Sequence, residues 1–379
     1  MRLSGFALTK KLLLFGIMNR PAWVAVLGQL ATTGLRWRLP VQGLIRKTVF
    51  EQFCGGETLE ASIPVVQELA GRRIGSIPDY SVEGQASEHN MDQTLEHLLQ
   101  GLRFTARQTL HPLFVFKVSG LVDSVLLARM QSDAAPGSSE TEALERGRQR
   151  VMSLMKEASD LGCPVMVDAE ESWIQGTVDQ WVLEGMRGYN KTKPLVVHTL
   201  QMYRHDRLAY LHEILQQSDR EGFIPAFKVV RGAYMEKERA RALEYGTTDP
   251  IQPDKASTDR DFDLAVQSIL SHPKAFLCLG THNRNSCVRA TEWMEKVALP
   301  VDSTRVLFAQ LLGMSDSLTE ELARAGYPVS KYLPYGPVAE VLPYLLRRAR
   351  ENSSASGEIS REFAHLLSEK RRRQEKQPR

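Results

Sequence analysis

Residues 193–234 read KPLVVHTLQMYRHDRLAYLHEILQQSDREGFIPAFKVVRGAY. The stretch opens on a nearly continuous apolar run and passes through a segment where Leu208, Leu211, Ile214 and Leu215 recur at helical spacing. It closes on a second apolar run that ends in a lysine, two valines and an arginine. Runs that are apolar on both faces are those of parallel strands covered on both sides, and the amphipathic segment between them is the crossover helix. The same unit recurs along the chain. RIGSIPD, LFVFKVSGL, CPVMVDAEE, KPLVVHTLQMY, FIPAFKVVRGAY, KAFLCLGTHN, TRVLFAQLLGM and YPVSKYLPYG are the strand candidates. Eight β/α alternations predict a (β/α)8 barrel, preceded by a mainly helical segment over residues 1–70. A doubly wound sheet would carry a G-x-G-x-x-G turn after a strand, and none occurs. QSDAAPGSSETE (131–142) reads as a flexible polar loop after the second strand.

Composition bounds the answer further. A chain of 379 residues with 42% apolar and 25% charged residues buries a sizeable core. A net charge of +3 is too small to imply nucleic acid as a partner. The basic residues are uneven, however: Arg2, Lys10, Lys11, Arg20, Arg36, Arg38, Arg46 and Lys47 all precede the first acid, Glu51. LLLFGIM and PAWVAVLGQLATTGL lie among them and are shorter than the roughly 20 residues that span a bilayer. This segment is expected either to lie along a membrane surface, to pack as a helical hairpin, or to serve as an Arg-rich targeting segment. Residues 353–379 read as a polar, basic tail. Cys54, Cys163, Cys278 and Cys287 are scattered, without C-x-x-C spacing, which fits a reducing compartment and gives no metal site.

In a barrel, chemistry sits at the C-terminal strand ends. Here those ends close on polar or unusual residues: Lys117, Asp168 with Glu170, Thr199 with Gln201, Lys228 through Tyr234, Thr281 to Asn283, Gln310, and Tyr332. Their convergence on one mouth predicts a site. The last segment, VAEVLPYLLRRAREN (338–352), places Val338, Val341, Leu342, Leu345, Leu346 and Ala349 on one helical stripe, with Tyr344, Arg347, Arg348 and Glu351 on the next. Arg347 and Glu351 are four apart and can pair. Lys117, Lys228, Arg347 and Arg348, opposed by Asp168 and Glu351, would gather an excess of positive charge. That excess is tolerable only if an anion arrives, and adjacent guanidiniums suit a carboxylate. His282 reads as a hydrogen-bonded histidine, since no second ligand stands at metal spacing. Neither a G-x-S-x-G elbow nor a P-loop occurs.

FKVVRGAYMEKER, THN, FAQLLGM and KYLPYGPVAEVLPYLLRRAREN, in that order, resemble the proline dehydrogenase family, in its mitochondrial-type branch and the bacterial relatives of that branch. The resemblance runs from about Thr48 to Asn352. It implies a distorted (β/α)8 barrel over residues 71–352 that binds FAD, oxidises L-proline to Δ1-pyrroline-5-carboxylate by hydride transfer from C5 to the flavin N5, and passes electrons to a quinone. It implies that Arg347, Arg348 and Lys117 bind the substrate carboxylate, while Leu311 and Tyr332 pack on its ring. Asp168, Ala169, Gln201, Lys228, Val230, Gly232, Ala233, Tyr234, Thr281, His282, Asn283, Gln310 and Glu351 would line the flavin. Lys228 and Asp168 stand nearest the chemistry in this picture, with Lys228 where bifunctional bacterial enzymes commonly carry arginine. The last helix would lie over the mouth as a lid. A peripheral place follows, on the cytoplasmic face of a bacterial inner membrane or on the mitochondrial inner membrane and matrix. The rivals are a hydroxyproline dehydrogenase, whose branch tends to carry serine at the position of Tyr332, and a Schiff-base lyase using Lys117, Lys228 or Lys331. A third is a non-catalytic scaffold on an enzyme fold.

Overall fold

Each of the eight apolar runs forms a strand in the computed structural model, which describes residues 5–18, 28–29, 42–80, 87–131, 137–342, 344–346, 363–364, 366–368 and 370–372. They are β1 Gly75–Tyr80, β2 Phe114–Phe116, β3 Val165–Val167, β4 Val196–Gln201, β5 Ala226–Val230, β6 Phe276–Gly280, β7 Val306–Leu311 and β8 Val329–Tyr335. The strands close into a barrel in chain order, β1 to β8. The register pairs Thr199 with Lys228 across β4 and β5, and Lys228 with Cys278 across β5 and β6. Side chains alternate between the two faces of a strand, so Lys228 points into the barrel at the level of its paired neighbours.

The expected crossover helices are present, among them Glu88–Ala106, Ser138–Leu161, Ser172–Tyr189, Arg207–Glu221, Lys255–Ser271, Arg284–Lys296 and Asp316–Arg324. Ser172–Tyr189 shows why these segments are helices, burying Ile174, Val178, Trp181, Val182 and Met186 on one stripe. Gly222, with φ 69°, ends the helix before β5 in the left-handed conformation that a side chain disfavours. Two short elements sit at strand ends: a 3₁₀ turn Val118–Gly120 after β2 and the helix Met235–Tyr245 after β5. The loop expected over 131–142 is shorter than its composition suggests. Residues 132–136 lie outside the described residues, and helix begins at Ser138. There the Glu140 carboxylate accepts the Gly137 N–H at 3.0 Å, so a polar sequence satisfies its own helix start.

The chain divides into two units, one of residues 64–310 and 318–332, the other of residues 1–63, 311–317 and 333–379. The first contains the barrel except for the last residue of β7 and the last three of β8. The second has its own apolar cluster. Leu8, Leu12 and Phe15 of the helix Gly5–Met18 pack there with Phe50, Phe53, Met314, Val338, Val341, Leu342, Tyr344, Leu345 and Leu366. Full burial of each such side chain contributes about 1.5–3 kcal/mol. Lys11 pairs with Asp316 at 3.0 Å within the same unit.

In the N-terminal segment the described helix has a packed face, which fits one of the alternatives expected there, and one further reading changes in detail. The helix Gly5–Met18 turns Leu8, Leu12 and Phe15 into protein, while Leu13, 70% exposed, faces outward. Tyr344, expected on the stripe of Arg347 and Arg348, is buried in the apolar cluster, because its ring outweighs the single hydroxyl in deciding which face goes inward. Arg347, Arg348 and Glu351, together with Pro343, Ala349 and most of the C-terminal tail, lie outside the described residues. No described helix is long and apolar enough to cross a membrane.

Candidate active site

The polar strand ends assemble in two groups within the barrel unit. The first is a charged cluster around Asp168, the residue that follows β3. Lys228, in β5, donates to Asp168 Oδ1 at 2.6 Å, and the Tyr332 hydroxyl, in β8, donates to Oδ2 at 2.8 Å. The Lys228 Nζ also stands 5.0 Å from the centre of the Tyr332 ring. Lys117, just beyond β2, lies 3.7 Å from Asp168 Oδ2 and 3.8 Å from Asp79 Oδ2 at the end of β1. Lys228 is thus hydrogen-bonded to its carboxylate, whereas these two carboxylates hold Lys117 by charge at longer range.

Asp79, Lys117, Asp168, Lys228 and Tyr332 are all buried. Burial alone would push the Asp168 carboxyl up, but the charges of Lys228 and Lys117 and the hydrogen bonds from Lys228 and Tyr332 outweigh it and hold the group at about 2. Asp168 is therefore a permanent anion at neutral pH and a weak proton acceptor.

The second group is a belt of hydrogen bonds that links the strand ends from β2 through β7. Glu170 accepts the Ser119 N–H at 2.9 Å and the Ser119 hydroxyl, joining the β3 end to the β2 end. Gln201 donates to the Glu170 carbonyl at 2.8 Å, and its Oε1 accepts the Ala233 N–H at 3.3 Å, which carries the belt through β4 to the β5 end. Arg231 crosses to the β6 side, donating to Thr281 Oγ1 at 3.1 Å, Ser286 Oγ at 3.0 Å and Asp259 at 2.6 Å. Gln310 Nε2 donates to the Thr281 carbonyl at 3.3 Å, and Thr319 donates to Gln310 Oε1 at 3.1 Å. Asn283 caps the helix Arg284–Lys296, its side chain accepting from Asn285 and Ser286 N–H groups.

Gly232 lies in this belt with φ 134°, and a Cβ there would sit 2.4 Å from the Tyr203 ring. Only glycine fits against that ring, and Gly232 is itself exposed, so its backbone can be approached from the open side. Tyr234 is buried; Ala169, Val230, Ala233, His282 and Asn283 are half-buried. A glycine-opened backbone beside fixed amide, hydroxyl and ammonium groups suits a planar heterocycle edged with hydrogen-bonding atoms. Among the described residues no group of histidine, cysteine or carboxylate side chains could hold a metal ion.

Lys117, Asp168, Lys228 and Tyr332 therefore meet as expected, and Gln201, Ala233, Thr281, Asn283 and Gln310 join one network. Leu311 belongs to the other unit, where it packs partly buried against the apolar cluster. Among the described residues Lys117 and Lys228 face two carboxylates, Asp168 and Asp79, the second of which spacing alone does not single out; Arg347, Arg348 and Glu351, which the expected charge excess also counts, lie outside the described residues. The signal was present, since Asp79 ends its apolar run as Asp168 does. Arg231 lies within the span Lys228 through Tyr234, but its bridging role does not show in sequence, where a surface arginine and a bridging one read alike.

The family model of proline dehydrogenase matches residues 63–361. The human protein named "Proline dehydrogenase 1, mitochondrial" is 41% identical over 240 residues, which cover 62% of this chain and 40% of the human one. The protein named "Carbapenem antibiotics biosynthesis protein CarD" of Pectobacterium carotovorum is 35% identical over 333 residues, or 88% of this chain and 86% of that protein. Among solved structures, proline utilization A from Bdellovibrio bacteriovorus, inactivated by N-propargylglycine, superposes with a TM-score of 0.75 at 19% identity. The match covers 85% of this chain and 35% of that one, and at that identity it shows the shared barrel. The chain thus spans less than half the length of the human relative and of this solved protein.

Proposed function

The chain belongs to the proline dehydrogenase family, and we propose that it oxidises L-proline to Δ1-pyrroline-5-carboxylate, using bound FAD and a quinone as the final acceptor. The observation that carries the reading is the buried Asp168 cluster at the barrel mouth, with Lys228 and Tyr332 hydrogen-bonded to one carboxylate and Lys117 held beside it. The flavin, when bound, supplies the acceptor for the hydride that leaves C5 of proline.

The residues of the chain do the rest. Asp168 fixes Lys228 within β5, and its positive charge would offset negative charge built up on a reduced cofactor bound beside it. Tyr332 turns its hydroxyl to Asp168, and so presents the bulk of its ring, rather than a free donor, toward a small substrate. Lys117 offers a cation to the substrate carboxylate, with Arg347 and Arg348 as the further partners that the sequence resemblance supplies. Gly232 and the belt hold the strand ends still, so that a bound ring and a bound substrate meet in one orientation. The proton of the substrate amine goes elsewhere than Asp168, whose carboxyl is held at about 2.

Membership of the proline dehydrogenase family, rather than the setting of any one of Lys117, Lys228 and Lys331, is what weighs against the Schiff-base reading. The quinone points to a membrane surface, and we assign peripheral contact to residues 1–70. In a mitochondrion this places the chain on the inner membrane or in the matrix, and in a bacterium on the cytoplasmic face of the inner membrane. The test is kcat/KM for L-proline against trans-4-hydroxyproline. Proline is preferred, because the phenol of Tyr332 leaves less room for a ring hydroxyl; equal values would overturn the assignment.

A further inference from the structure

We propose that Glu170 is a positioning residue for Lys117: it anchors the turn that follows β2 and thereby sets the affinity of the site for a carboxylate substrate. The inference rests on the functional reading above. The Glu170 side chain is 3% exposed and stands two residues beyond Asp168. Both of its oxygens serve one residue, Ser119, through the backbone N–H at 2.9 Å and the hydroxyl.

Ser119 is the central residue of the 3₁₀ turn Val118–Gly120, which begins directly after Lys117. That turn has no side-chain cap of its own at Lys117, so its early N–H groups need an acceptor from elsewhere. Glu170 supplies it. The direction in which Lys117 leaves β2 is therefore fixed at two points, the strand pairing of Phe116 with Val167 and the Glu170 anchor on Ser119.

The main chain of Glu170 is equally committed. Its N–H donates to Gln175 Oε1 at 2.8 Å and its carbonyl accepts from Gln201 at 2.8 Å. The carboxyl oxygens are thus the part of this residue that addresses Lys117, while the backbone holds the belt. Substitution of the side chain separates the two roles.

Charge adds a second readout. Burial raises the Glu170 carboxyl to about 7, against the opposing pull of the Ser119 bonds. Lys117 at the β2 end and Glu171 on the same loop act on it directly. Asp168 lies on that loop, Asp179 stands behind Gln175 on the helix Ser172–Tyr189, and Glu238 accepts from Ser172 at the start of that helix. Above neutrality Glu170 joins Asp79 and Asp168 as a third carboxylate around Lys117 and opposes an anionic substrate. KM for proline is expected to rise as pH increases through about 7.

The test uses the flavin-loaded enzyme and two measurements, steady-state oxidation of L-proline and calorimetric binding of tetrahydro-2-furoate, which keeps the carboxylate and ring but has oxygen in place of the amine. Glu170→Ala should raise KM and the Kd of the analogue together by about tenfold, with kcat changed less than about threefold, as misdirection of one binding group predicts. Glu170→Gln should recover most of that loss, since its amide accepts from the Ser119 N–H and donates to the hydroxyl. It should also abolish the pH dependence of KM near 7. Ser119→Ala, the milder variant should Glu170→Ala fail to fold, should raise the Kd about threefold. Unchanged KM and Kd in these variants, a fall in kcat alone, or a pH inflection that persists in Glu170→Gln would overturn the inference while leaving the function standing. Wild-type enzyme that neither oxidises proline nor binds the analogue would overturn the function and this inference with it.

Discussion

Replacing Lys228 with methionine keeps most of the volume of the aliphatic stem and removes the charge that lies 2.6 Å from Asp168. Both partners are buried, so the carboxylate is left with Lys117 at 3.7 Å and the Tyr332 hydroxyl at 2.8 Å as its compensation. Removing one member of a buried ion pair costs about 3–5 kcal/mol, because the survivor keeps its desolvation cost. The wild-type carboxyl supports that scale: its fall from 3.8 to about 2, despite burial, corresponds to roughly 2.5 kcal/mol of net stabilisation of the anion. With Lys228 gone, burial is opposed less and the Asp168 carboxyl moves up. The stability loss in Lys228→Met is therefore largest near pH 7 and shrinks toward pH 4, where a protonated Asp168 needs less compensation. Urea unfolding of wild type and variant at both pH values measures this, and a thermal scan at pH 7 should show a midpoint lower by about 6–10 °C. A loss below about 1 kcal/mol at pH 7, or an equal loss at pH 4, would refute the reasoning that a single buried carboxylate organises the mouth.

Three further outcomes follow from the same geometry. Gly232→Ala meets both a φ of 134° and a Cβ 2.4 Å from the Tyr203 ring; it should cost about 2–4 kcal/mol in denaturant unfolding, and an unchanged midpoint would contradict the strained backbone. In a pH scan of stability, Asp168 and Asp179, both lowered to about 2, each contribute about 2.5 kcal/mol that is complete above 3.8 and lost as pH falls through 2. Glu170, raised from 4.5 to about 7, has the opposite sign and removes roughly 3 kcal/mol between those values as pH rises, a slope that Glu170→Gln should erase. Arg347→Met and Arg348→Met should each raise KM for proline by at least about 30-fold, from the 2–5 kcal/mol typical of a lost charged partner, and an unchanged KM would remove both residues from the carboxylate site.

Much of the fold was legible because parallel strands covered on both faces leave unmistakable apolar runs. Seven of the eight strands lie within the runs read as strands, and β1 overruns its run only by Tyr80. The polar strand ends were legible for a related reason: a lysine such as Lys228 set within a buried apolar run stands out as a charge that the barrel must accommodate. What sequence spacing could not reveal was pairing across strands. Asp79 and Lys117 are far apart in the chain yet 3.8 Å apart in space, and that contact adds a carboxylate which spacing alone did not bring to the lysine. Tyr344 shows a different limit. Helical periodicity placed it on the arginine stripe, but a boundary residue on an amphipathic helix goes where its larger apolar surface is covered. Glu170 stands beside Asp168 in the sequence with nothing to mark its role, because only its bonds to Ser119 distinguish an anchor from a solvated acid.

The most direct test is the visible absorption spectrum of the purified protein, recorded anaerobically before and after L-proline is added. A flavin spectrum that bleaches on addition of proline, and recovers when a quinone is supplied, is the predicted result. A protein that stays colourless when FAD is provided, or whose yellow colour persists in excess proline, would contradict the account.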